Sequence, residues 1–162
     1  MGILLFQLTE RNLTLERKDN KGGARLRRAY SFAAEAHRGQ LDESGLPVIW
    51  HPMAVAKKCD TTTEKIVALL HDVIEDTEVV EEEIRAAFGD EVADAVVADS
   101  RVEGEEYEAY LDRVAKNPLA LKVKIADLRH NIERGEKSGN LKRLSKHKKG
   151  LEKLLKLENP DG

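Results

Sequence analysis

One cysteine, Cys59, is present in 162 residues. A single thiol excludes an internal disulfide and a thiolate metal site, so any metal must be held by histidine and carboxylate. Prolines number four and aromatic residues make up 4% of the chain. So few helix breakers, beside abundant Ala, Leu, Glu, Lys and Arg, predict an all-α fold. No apolar run approaches the roughly 18–20 residues that a membrane span needs. The apolar patch at residues 2–6 is too short for a signal sequence and has no basic segment before it. The reading is a cytoplasmic chain with no membrane partner, in keeping with its thiol content. The Lys-rich stretch at residues 142–149 lacks interleaved aromatics, and the net charge is −3. A solvated helix face explains that stretch better than nucleic-acid binding.

A length of 162 residues suits one domain with one sizeable core. Residues 1–23 are expected to form an arm or short hairpin, 24–157 a compact multi-helix domain, and 158–162 a tail. Helices are predicted near 24–37, from Trp50 with Pro52 in the first turn, after a cap at Asp60 and Thr61–Thr63, and over 81–88, 91–98 and 105–115. Another opens at Asn117-Pro118 and breaks across 135–140. RGQLDESGLP, residues 38–47, reads as a loop. In the last helix Leu141, Leu144, Leu151, Leu154 and Leu155 share a stripe, either closing the core or forming a homo-oligomer seam. Residues 75–112 are acidic and 113–156 basic. The two faces are either simply solvated, or the basic one is a wall that holds phosphates.

ALLHDVIEDT, residues 68–77, interrupts an apolar helical segment with His71, Asp72, Glu75 and Asp76. Read as one continuous helix, it stacks His71 on Glu75 and Asp72 on Asp76. Two other segments carry matching chemistry. IWHPMAVA, 49–56, places His51 at a helix start, where facing solvent is the alternative. VKIADLRHN, 123–131, places Asp127 among apolar residues. A carboxylate buried there needs a partner, either a metal or a lysine. His51, His71, Asp72 and Asp127 together offer two imidazoles and two carboxylates, leaving open positions on a six-coordinate divalent ion.

The order His…His-Asp…Asp resembles the HD superfamily of metal-dependent phosphohydrolases. AHRGQLDESGLPVIWHPMAVA, ALLHDVIEDT and VKIADLRHN resemble more closely the hydrolase domain of the RelA/SpoT family and the stand-alone small alarmone hydrolases. The resemblance covers residues 24–134, and its HD-x-x-ED form is specific to that branch. It implies a compact all-α HD domain that hydrolyses the 3′-pyrophosphate of (p)ppGpp. One divalent ion is implied, manganese first, with iron, cobalt, nickel, zinc or magnesium as alternatives. Glu75 and Asp76 would orient or deprotonate the attacking water, and Asn131 would contact substrate. The partner implied is a small phosphorylated nucleotide. No synthetase domain accompanies these motifs, so synthesis is not implied.

The sequence departs from that pattern in one place. Asp42 and Glu43 stand where the family's base-side loop carries basic residues, and Arg134 where long members often have threonine. Acidic groups beside a polyphosphate are unfavourable unless they face the base or a cation. They leave open a hydrolase of another phosphate ester or pyrophosphate, or a metal- or nucleotide-binding regulatory protein without turnover. Ser100, Arg101 and Lys124 are further phosphate-contact candidates, with surface charge as the alternative. His37 reads as a structural helix-end histidine, His130 as a packing residue or a support to the ligands, His147 as exposed, and Trp50 as a packing residue.

Overall fold

The computed structural model describes residues 21–160. The expected arm at residues 1–20 lies outside them, and residues 21–23 already belong to the first helix, α1, which occupies 21–36. The chain continues through α2 (Trp50–Lys57), α3 (Thr62–Leu70), α4 (Val73–Asp76), α5 (Glu81–Phe88) and α6 (Asp90–Asp99). It ends with α7 (Tyr107–Val114), α8 (Pro118–Ser138) and α9 (Leu141–Glu158). Among the described residues the only strand-like pairing is an isolated bridge between Leu41 and Pro47. The expected all-α class holds.

Local signals place most helix ends. Thr61 caps α3: its hydroxyl accepts from Glu64 N–H, and the Glu64 carboxylate accepts from the N–H groups of Thr61 and Asp60. Asn117 caps α8 by accepting from the N–H groups of Leu119 and Ala120, with Pro118 at the first helical position. The break expected across 135–140 falls at the far end of that range. α8 runs on to Ser138 and stops at Gly139, whose φ of 72° is the left-handed conformation that glycine adopts freely. Gly135 stays helical, and Leu144 of α9 packs directly over it.

α8 lies between two cores. Val123 and Ala126 face one built from α1, α2, α3, α5 and α6, whose members include Val55, Ile66, Leu70, Ile84 and Val92. Ile125 and Leu128 face a second, with Tyr110 and Leu111 of α7 and Leu154 of α9. Asp127 therefore sits at the seam between them. In α3 every residue from Ile66 to Leu70 is buried, as in a helix enclosed on all sides. The leucine stripe of α9 packs within the chain: Leu154 is buried, while Leu151 and Leu155 rest against the second core. Leu141, at 75% exposure, is not part of that seam.

Candidate metal centre

The apolar segment around ALLHDVIEDT is not one helix. α3 ends at Leu70 and α4 begins at Val73, with His71 and Asp72 in the turn between them. Both keep right-handed φ and ψ, and Asp76 N–H still reaches Asp72 C=O at 3.0 Å. His71 is buried, at 2% exposure, while Glu75 and Asp76 reach the surface with their carboxyl groups partly withdrawn from water. The expected stack of His71 on Glu75 is replaced by a contact to another segment, since Glu75 Oε1 accepts from the N–H of Arg101 at 2.7 Å.

Helix α2, the turn after α3 and helix α8 bring three sequence-distant ligand candidates together. One ligand atom from each of His51, His71 and Asp127 lies within 4.8 Å of the other two. His51 Nε2 is 3.0 Å from Asp127 Oδ1. Asp72 borders the group, with Oδ1 at 3.1 Å from His71 Nε2 and Oδ2 at 3.6 Å from His51 Nε2. This donor set fits a divalent cation. His71 Nδ1 lies 2.7 Å from the backbone oxygen of Ala68, so it donates there and Nε2 faces the cluster. That nitrogen is fully buried and has no well-formed hydrogen bond; the Asp72 oxygen at 3.1 Å is an ionic contact. A cation between these groups would satisfy all of them.

Behind the cluster is a charge network in which Asp99 and Tyr110 join the lysine expected beside Asp127. Lys124 Nζ lies 2.9 Å from Asp127 Oδ2 and 3.5 Å from Asp99 Oδ1, and the Tyr110 hydroxyl donates to Asp99. Lys124 is thus a buried counter-ion and not an exposed phosphate contact. Asp127 has the expected lysine partner on Oδ2, while its Oδ1 faces the imidazoles. Asn131 Nδ2 donates to that same Oδ1 at 2.7 Å, which orients the carboxylate. Asp99 ends an apolar helix, VADAVVAD, and that placement was the available sign of a buried acid.

The electrostatics follow from burial and neighbours. Burial disfavours a charged His71, but Asp72, Asp127 and Asp99 outweigh it and push the imidazole up to about 9. Burial also opposes ionisation of Asp127, yet Lys124 and the two imidazoles hold it well below the usual carboxylate range. Glu75 is raised by burial, against the Arg101 N–H and Lys124. Asp76 is raised by burial and by the Asp72 charge. Both carboxylates therefore accept a proton more readily than free ones.

Other residues are placed as follows. The Ser100 hydroxyl is buried and donates to Val96 C=O, so it does not cradle an anion. Arg101 lays its guanidinium over the Tyr110 ring. His37 is buried against Gln40 Oε1, and Gln40 Nε2 donates to Asp76 C=O, tying the loop after α1 to the end of α4. Trp50 is 57% exposed and does not pack as expected. His147 is half-buried and lines a cavity of about 580 Å³ beside the cluster. Asn131, Asp42, Glu43, Arg134 and Arg143 share its wall. Asp42 pairs with Arg134 at 2.7 Å and Glu43 with Arg143 at 3.1 Å, so the acidic loop is neutralised by α8 and α9.

A helical bundle that gathers two histidines and an aspartate, from two helices and a turn, around one buried point defines a class of metal-centred α-domain. The domain family described as HD domain matches residues 29–134, and the chain belongs to that family. Among curated relatives, the bifunctional (p)ppGpp synthase/hydrolase SpoT of Escherichia coli (strain K12) is 36% identical over 67% of this chain and 18% of its own length. The guanosine-3′,5′-bis(diphosphate) 3′-pyrophosphohydrolase of Aquifex aeolicus (strain VF5) is 35% identical over 67% of this chain and 17% of its own. The chain thus spans less than a fifth of either relative. A solved structure described as a metazoan ortholog of SpoT that hydrolyzes ppGpp has the same fold, with a TM-score of 0.61 at 20% identity. The match covers 84% of this chain and 96% of that one. Among the described residues no helix is long and apolar enough to cross a membrane.

Proposed function

We propose that the chain is a metal-dependent phosphohydrolase that removes the 3′-pyrophosphate of a guanosine polyphosphate. The observation that carries the reading is the approach of His51, His71 and Asp127 within 4.8 Å, with Glu75 and Asp76 following in the next turn. The names and activities of the E. coli and A. aeolicus relatives support it.

His51, His71, Asp72 and Asp127 would hold one divalent ion, and this nitrogen-and-oxygen set suits manganese, iron, cobalt, nickel or zinc better than calcium. Such an ion supplies Lewis acidity, acidifying water and polarising a phosphoryl oxygen. The chain's own groups do the rest. Lys124 keeps Asp127 ionised, and Asn131 holds its Oδ1 in place. Glu75, fixed by the Arg101 N–H, takes the proton from the attacking water, and Asp76, fixed through Gln40, orients that water. Asn131, which also lines the adjoining cavity, places the nucleoside, and the cations of that wall face its charge.

One observation favours a second reading. The cavity wall carries Asp42 and Glu43, already paired with Arg134 and Arg143, and this wall suits a less highly charged phosphate ester or pyrophosphate. A substrate panel in Mn²⁺ separates the two. Pyrophosphate released from ppGpp supports the first. Inert ppGpp with turnover of another phosphate ester or pyrophosphate overturns it in favour of the second.

A further inference from the structure

The three clustered ligand candidates differ in how firmly they are held. His71 is fixed by burial and by Ala68 C=O, and Asp127 by Lys124 and Asn131. His51 has neither kind of support from its own helix. It lies in the first turn of α2, its side chain is 14% exposed against 2% for His71 and 4% for Asp127, and the helix start has no side-chain cap. Its second ring nitrogen has one partner, His130 of α8: the two Nδ1 atoms are 2.8 Å apart. The rings lie 5.0 Å apart between centroids and 30° from parallel.

We propose that His130 is the positioning residue for His51, accepting a hydrogen bond from His51 Nδ1–H and so aiming the bare Nε2 at the metal. The inference rests on the metal reading given under Proposed function. Proton count fixes the direction of this hydrogen bond. Two nitrogens 2.8 Å apart share one proton, because neither two N–H groups nor two lone pairs attract. A neutral imidazole that offers Nε2 to a cation carries its only proton on Nδ1, so His51 is the donor of the pair. His130 is then the acceptor and keeps its own proton on Nε2. Reversing the donor would put a proton on His51 Nε2, which faces Asp127 Oδ1 at 3.0 Å, and would block ligation. Helix α8 therefore supplies both a ligand, Asp127, and, one turn on, the support of a ligand on α2.

Calorimetry with Mn²⁺ alone on the full chain tests this without any substrate. His130→Phe keeps a ring and removes the acceptor. His130→Asn puts an amide oxygen close to the former Nδ1. The Phe variant is expected to bind Mn²⁺ about 10–100-fold more weakly, the usual effect of losing such a partner. The Asn variant should recover most of that loss, with metal-free melting close to wild type in both. ¹⁵N NMR of the Zn²⁺-loaded wild type should show His51 protonated at Nδ1 and bare at Nε2, a readout that stands even if the Phe variant does not fold. Wild-type affinity in the Phe variant, or a proton on His51 Nε2 with Zn²⁺ bound, overturns the role of His130 and leaves the metal reading standing. A wild type that binds no divalent ion overturns both.

Discussion

Arg134 donates to Asp42 across 92 residues of sequence, Nη2 to Oδ2 at 2.7 Å. Two charges far apart in sequence thus form one pair in space, the acid of the 38–47 loop being met by a base on α8, one turn beyond Asn131. Arg143 of α9 and Glu43 repeat the arrangement next to it.

The pair should govern affinity more than rate. Arg134→Ala frees a carboxylate that faces the cavity and repels phosphate. The expected result is a KM for ppGpp raised about tenfold with kcat little changed. Asp42→Asn together with Arg134→Thr removes both charges and retains an acceptor for the N–H groups of Ser44 and Leu46, which Asp42 Oδ1 now accepts. That double variant should return to near wild-type KM. Equal kinetics in all three proteins would show that the pair only ties the loop down.

Glu75 can be separated from the metal. It is bound to the Arg101 N–H and is absent from the group formed by His51, His71 and Asp127. Glu75→Gln should retain Mn²⁺ affinity and lose on the order of 10²–10⁴ in kcat, the range for a proton-transfer group. Asp72→Asn, beside both imidazoles, should instead abolish metal binding. Calorimetry and turnover on the same preparations decide the matter. A Glu75→Gln enzyme at full rate would remove that residue from proton transfer.

Much of this arrangement was legible before any coordinates. The all-α class followed from scarce prolines and aromatics, and the start of α3 from the cap residues Asp60 and Thr61–Thr63. The ligand candidates stood out because ionisable groups among apolar ones need a reason. The turn at His71–Asp72 was not legible, since both residues keep helical dihedrals and no glycine or proline marks the break. Nor was the burial of Lys124, because a lysine reads as solvated until its carboxylates are located in space. The pairing of Asp42 with Arg134 is invisible for the same reason: ion-pair partners on different elements carry no local signature.

Metal binding should depend on pH through His71. Without a metal the neighbouring carboxylates keep a proton on this imidazole up to about 9. Ligation requires the bare Nε2, so binding expels that proton. Raising the pH therefore favours binding, and the Mn²⁺ dissociation constant should fall about tenfold for each unit between pH 6 and 8. Titrations in buffers of different ionisation enthalpy should report close to one proton released. A pH-independent constant would mean that His71 is neutral before the metal arrives.

Lys124 is expected to matter for stability before chemistry. Its ammonium is the buried charge between Asp99 and Asp127, and its side chain is 14% exposed. Lys124→Met fits the space but leaves two carboxylates facing each other without a cation. Breaking a buried pair on one side costs about 3–5 kcal/mol. Chemical denaturation of the metal-free variant should show a loss of that order. Adding Asp99→Asn should restore part of it, because one of the two opposed charges is then gone. If the single variant loses less than about 1 kcal/mol, the scale of an exposed pair, water reaches the network and Lys124 is not its keystone.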